Sequence, residues 1–133
     1  YDELLLPLEK GLCDYYGSIF YWHSCGNTTK LVSSISEISA LELFHCGPWT
    51  GVFEACNAFR SKPTALEIMV EPVDKVMLAS HQKMEESLRE IVDQIPGQTN
   101  CFIKVDSLET EGNLEKDIDV IKSWIAIARK VLG

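Results

Sequence analysis

No stretch of this sequence is apolar for the roughly 20 residues that a membrane span requires, and residues 1–17 lack the basic-then-apolar layout of a signal peptide. A membrane partner is therefore not expected. Basic charge is also scarce: 12 lysines and arginines face 20 aspartates and glutamates, a formal net charge of -8. Nucleic acid needs a basic surface to meet its phosphates, so it is excluded as a partner. Cysteine is sparse, odd in number and scattered, at 13, 25, 46, 56 and 101. A secreted disulfide framework would be denser and paired, so reduced thiols in a soluble, cytoplasmic protein are expected. There is no Gly-rich phosphate loop, Walker-type lysine, Gly-x-Ser-x-Gly elbow or His-Glu-x-x-His pair. Metal apart, no self-contained catalytic constellation is present.

What is present is a core and a pattern. At 133 residues, 46% of them hydrophobic, the chain suffices for one domain spanning 1–133, with no internal boundary or close repeat. Leu5, Leu8, Leu12 and Tyr15 or Tyr16 recur at helical spacing until Gly17. Four apolar runs follow, Ser18–Cys25, Ala40–Cys46, Ala65–Glu71 and Cys101–Asp106, each trailed by a helical pattern. The helices expected after the first two runs are Thr28–Ile38 and Val52–Phe59. A third is capped by Ser80 and ends at Pro96-Gly97, and a closing helix is capped by Asn113. Alternating short strands and helices imply a parallel sheet covered by helices.

Four such units allow a small doubly wound sheet or half of an eight-stranded barrel, which takes about 250 residues when complete. Alternation sets Leu66, Ile68 and Val70 against Glu67, Met69 and Glu71, and sets Leu41 and Leu43 against Glu42, Phe44 and Cys46. A central strand of a three-layer sheet is apolar on both faces. Acidic residues recurring on one face favour a barrel lumen, so the fold expected is α/β, four parallel βα units forming the carboxyl-terminal half of a (β/α)8 barrel. The same parity places His45 on the helix side. It also leaves Ile19, Tyr21, Phe44, Met69 and Phe102 on an uncovered face, from which association is expected.

His23-Ser24-Cys25-Gly26-Asn27 closes the first apolar run. Side chains two apart in a strand share a face, so His23 and Cys25 project together, an imidazole and a thiolate of the kind zinc prefers. The plainer alternative is a core histidine beside a buried thiol.

The segment Tyr21-Trp22-His23-Ser24-Cys25-Gly26-Asn27-Thr28-Thr29 resembles the His-x-Cys-Gly-Asn-Thr stretch of the corrinoid-dependent methyltransferases of the uroporphyrinogen decarboxylase superfamily. Pro7, Val70-Glu71-Pro72-Val73 and the closing helix also stand where the carboxyl-terminal half of that barrel would have them. The resemblance implies a zinc site, with His23 and Cys25 as ligands, that activates a thiol to accept a methyl group from a methyl-corrinoid held by a corrinoid protein. The family's cysteine at the end of the last strand is replaced here by Lys104-Val105-Asp106-Ser107. Strand parity makes Cys46 the third candidate ligand and argues against Cys101, while Asn27, Glu71 and Asp106 are candidates for the surrounding shell or for substrate. Expected partners are a second copy in a homodimer or a complementary amino-terminal half-barrel. Two other readings stay open: a tetrapyrrole decarboxylase-related domain, and a non-catalytic metal-binding fragment.

Overall fold

A computed structural model of the protein describes residues 1–110 and 112–133. The elements run α1 (Leu5–Tyr16), β1 (Ile19–Trp22), α2 (Val32–Ile35), β2 (Leu41–Cys46), α3 (Val52–Phe59), β3 (Ala65–Met69), a π-helical turn (Val73–Met77), α4 (His81–Asp93), β4 (Cys101–Lys104) and α5 (Leu114–Leu132). The four strands form one parallel sheet in the order β1-β2-β3-β4. This is the α/β architecture expected, with each strand shorter than its apolar run. The chain divides into two compact units, residues 1–69 with 95–103 and residues 70–94 with 104–133.

In the first unit, Gly17 ends α1 in a left-handed conformation (φ 88°), its N–H bonding the Cys13 carbonyl at 2.8 Å. The chain can then turn into β1. Trp22 stacks on Phe44 at 5.5 Å, and Phe44 stacks on Phe59 of α3 at 4.9 Å. Phe44, Cys46, Leu66 and Ile68 are buried on this face of the sheet, and Leu41 is buried on the other. Such aromatic stacks add specific geometry to a large burial of apolar area.

The stack corrects the expected parity of β2. Phe44 and Cys46 lie on the helix-covered side, and His45 lies on the opposite one, where it meets Tyr21 and Glu67. The physical reason is that Phe44 can bury its ring against Phe59, while Glu42, of the same parity, sits near the strand's start and stays exposed. The parity of β3 is as expected, with Leu66, Ile68 and Val70 buried. Helix α1 packs through Leu6 and Cys13 and leaves the stripe Leu5, Leu8 and Leu12 at least half exposed.

The second unit holds the π-helical turn, α4 and α5, around Val76, Met84, Leu88, Trp124 and Ala128. Both caps read from the sequence are made: Ser80 Oγ accepts from the Lys83 N–H at 3.2 Å and Asn113 Oδ1 from that of Lys116 at 3.1 Å. Among the described residues, no helix is long and apolar enough to cross a membrane.

Candidate functional site

At the carboxyl end of the sheet, β1 stops at Trp22, and the chain continues through His23 and Cys25 into a loop stitched to the one after β2. Thr28 donates its N–H and its hydroxyl to Thr50 Oγ1 (3.1 and 2.9 Å), and Thr50 donates on to the Gly26 carbonyl at 3.4 Å. The Gly51 N–H reaches Thr29 Oγ1 at 2.8 Å. Threonines thus replace the backbone pairing that ended with the strand, and the segment carrying Cys25 is held in place.

Within this frame the two sequence-predicted donors meet. His23 Nε2 lies 3.2 Å from Cys25 Sγ, both side chains being exposed. The other ring nitrogen, Nδ1, is 3.1 Å from the Tyr21 hydroxyl, which donates to Glu67 Oε1 at 2.5 Å. The same Oε1 accepts from His45 Nδ1 at 2.7 Å. The strand register explains the meeting: Tyr21 pairs with Leu43 and His45 with Glu67, so Tyr21, His45 and Glu67 share one face. His23 stacks on His45 with ring centroids 4.2 Å apart and planes 29° apart. His45 and Glu67 are buried, so their mutual bond satisfies groups that water reaches poorly. Gly47 follows at close quarters. A Cβ there would stand 3.2 Å from His45 Nε2 and 3.5 Å from the Ser24 carbonyl, so a side chain fits only if the imidazole gives by a few tenths of an ångström.

The remaining candidates are engaged elsewhere. Cys46 is fully buried on the Phe44 side of β2, with Sγ 3.9 Å from the Thr50 carbonyl. Burial, then the nearby Cys56 and Glu54, push its thiol up to about 12, so at neutral pH it is a protonated core group. Cys101 is half-buried and its thiol is likewise pushed up by burial. Asn27 Oδ1 accepts from the Thr29 N–H at 3.0 Å and shapes its own loop. Glu71 caps the π-helical turn, accepting from the N–H groups of Val73, Asp74 and Lys75 at 2.6 to 3.2 Å. Asp106 pairs with Lys104 at 2.5 Å and accepts from the Ser107 hydroxyl. The structure therefore brings His23 and Cys25 together and does not bring Cys46 to them. Among the described residues, no three His, Cys, Asp or Glu side chains form a group that could hold a metal ion.

Three residues of this cluster were not singled out as a site by sequence: Tyr21, His45 and Glu67. Glu67 carried the one available signal, an acidic residue in the middle of an apolar strand, which has to find a buried partner.

No family profile, curated protein or solved structure matches this chain.

Proposed function

We propose that this chain is the zinc-binding, carboxyl-terminal half-barrel of a uroporphyrinogen decarboxylase-like methyltransferase, working in the cytoplasm to activate a thiol for methylation by a corrinoid. The observation that carries the reading is the pair His23 Nε2 and Cys25 Sγ at 3.2 Å beyond the end of β1. Two donors bound to one tetrahedral zinc, at about 2.0 Å for nitrogen and 2.3 Å for sulfur, stand about 3.5 Å apart, so a small adjustment suits the pair to the ion. The second support is the bond from His23 Nδ1 to Tyr21. Histidines that bind metal characteristically use the other ring nitrogen in this way.

His23 and Cys25 would hold the zinc, which when bound lowers the pKa of a thiol and so supplies the thiolate nucleophile. The chain's own contribution is placement. The threonine-stitched loop fixes Cys25, the stack on His45 fixes the plane of His23, and the exposure of both leaves a side open to substrate.

Two donors do not complete a zinc shell. The reading therefore includes a complementary amino-terminal half or a second copy of the chain, with a corrinoid protein delivering the methyl group. The uncovered stripe Leu5, Leu8 and Leu12 on α1 and the exposed Phe102 on β4 support such an association, since apolar area of this kind commonly marks an interface.

The test is metal analysis of purified, reduced protein together with its mass in solution. About one zinc per chain is expected, lost for the most part in Cys25→Ser and kept in Cys13→Ser and Cys56→Ser, whose thiols are buried. Protein that carries no metal and takes up none returns the chain to a decarboxylase-related or non-catalytic reading.

A further inference from the structure

We infer that Tyr21, anchored by Glu67, is a positioning residue that holds His23 as the Nδ1–H tautomer and so keeps the Nε2 lone pair facing Cys25. The hydrogens available decide the tautomer. A tyrosine hydroxyl has one, and around this one stand Glu67 Oε1 at 2.5 Å, His23 Nδ1 at 3.1 Å and His45 Nδ1 at 3.3 Å. The shortest contact, to a carboxylate oxygen, takes the hydrogen, as charge-assisted O–H···O bonds do. Toward His23 the phenolic oxygen then has lone pairs only, so the bond at 3.1 Å requires the hydrogen to sit on Nδ1. A neutral imidazole carries one ring N–H, which leaves Nε2 bare at 3.2 Å from Cys25 Sγ.

His45 makes the arrangement hard to reverse. Its Nδ1 donates to the same Glu67 Oε1 at 2.7 Å, and with 2% of the residue exposed it has little recourse to water. For Tyr21 to turn its hydrogen to His23, that oxygen would have to give up its shorter bond and the network its charge-assisted member. The stack of His23 on His45 further limits a flip of the ring that would exchange its two nitrogens. Which nitrogen of a histidine is free for chemistry is set by the bond its other nitrogen makes. Here that bond runs to a group with its own hydrogen already committed.

The tautomer stands on the metal-free protein alone; only its consequence for metal rests on the zinc reading. In the absence of metal the bare Nε2 accepts the Cys25 S–H, and on metal binding the same lone pair is the donor.

The experiment is a long-range 1H–15N correlation spectrum of histidine-labelled, metal-free protein at about pH 8, above the ordinary imidazole range, followed by zinc titration against a chromophoric chelator. Wild-type His23 is expected as Nδ1–H. Tyr21→Phe, which removes the acceptor from a side chain more than a third exposed, is expected to admit the Nε2–H form and to weaken zinc binding roughly ten- to a hundredfold. Wild-type His23 found as Nε2–H overturns the inference without any variant being made. So does Tyr21→Phe with an unchanged tautomer, whereas a changed tautomer with unchanged zinc affinity upholds the tautomer and overturns its consequence for metal. If the wild-type tautomer is as expected but no zinc is taken up, the inference about Tyr21 stands and the zinc reading falls.

Discussion

Two polar clusters in this chain are built from similar groups and differ in what surrounds them. In the first unit, Glu67 is buried in the middle of β3 and accepts from His45 and Tyr21 on a single carboxylate oxygen. In the second, Glu85 on α4 accepts from Arg89 at 2.7 Å one turn later and from Lys130 on α5 at 2.9 Å. Each carboxylate accepts from at least these two side chains. Glu67 is 6% exposed, however, whereas Arg89 and Lys130 keep more than half of their side chains in water. A surface ion pair exchanges good solvation for modest attraction and loses side-chain entropy in doing so. A buried network has no such reserve, because a partner removed there leaves a polar group that water cannot satisfy. The first cluster can therefore hold a side chain in one protonation and orientation, and the second mainly decorates a helix pair.

The largest expected effect follows directly. Glu67→Ala removes the shortest bond of His45 Nδ1, leaving that nitrogen the longer contact to the Tyr21 oxygen at 3.3 Å, and removes the hydrogen-bond acceptor of Tyr21. At about 1 to 3 kcal/mol for each unsatisfied buried group, a loss of about 2 to 3 kcal/mol is expected in urea unfolding. Glu67→Gln keeps an acceptor oxygen of the same reach and should lose clearly less. Equal losses for the two variants would show that packing rather than hydrogen bonding makes Glu67 matter, and the contrast with Glu85 would break.

A smaller effect tests how rigidly the cluster is held. Gly47→Ala places a methyl group 3.2 Å from His45 Nε2. Were the imidazole free to swing, the contact would relax at little cost. Because Glu67 ties its other nitrogen and His23 covers its face, a destabilisation of about 1 kcal/mol is expected, at the low end for overpacking. Gly47→Ala made in Glu67→Ala should cost less than in the wild type, since the tie has gone. Strict additivity of the two would mean that His45 is not held by Glu67.

The same contrast explains what was legible in the sequence. Ser80 and Asn113 were readable as caps because a cap is decided within three residues of itself. The face assignment of β3 was readable because Glu67 and Met69 alternate with three buried aliphatic residues. In β2 the pattern misled. Glu42 near the strand's start can reach water from either face, so its parity said nothing about Phe44 and Cys46. His23 and Cys25 were readable because they stand two positions apart, although β1 ends before them and the following loop sets their approach. The His45, Glu67 and Tyr21 cluster depends on register between three strands, which no local pattern encodes. Glu71 shows the converse: Pro72 starts a helical turn whose free N–H groups the preceding carboxylate caps, a local signal that its place at the end of an apolar run concealed.

The smallest effect concerns Glu85 and is read most clearly against pH and salt. Its carboxyl is held below the usual carboxylate range, first by the hydrogen bond from Lys130 and then by that from Arg89. A depressed folded-state pKa means that the unfolded chain takes up a proton first as the pH falls. The stabilisation is therefore complete above the ordinary carboxylate range and is lost as the pH drops through the folded-state value. Glu85→Gln should leave the neutral-pH unfolding midpoint almost unchanged and slightly flatten the acid limb of the stability profile. Because the group is open to solvent, even that difference should fade in about 1 M salt, where the Debye length is about 3 Å. A Glu85→Gln loss as large as that of Glu67→Ala, or one indifferent to salt, would mean that the α4 and α5 pair relies on this carboxylate as the sheet relies on Glu67. Burial would then not be what separates the two clusters.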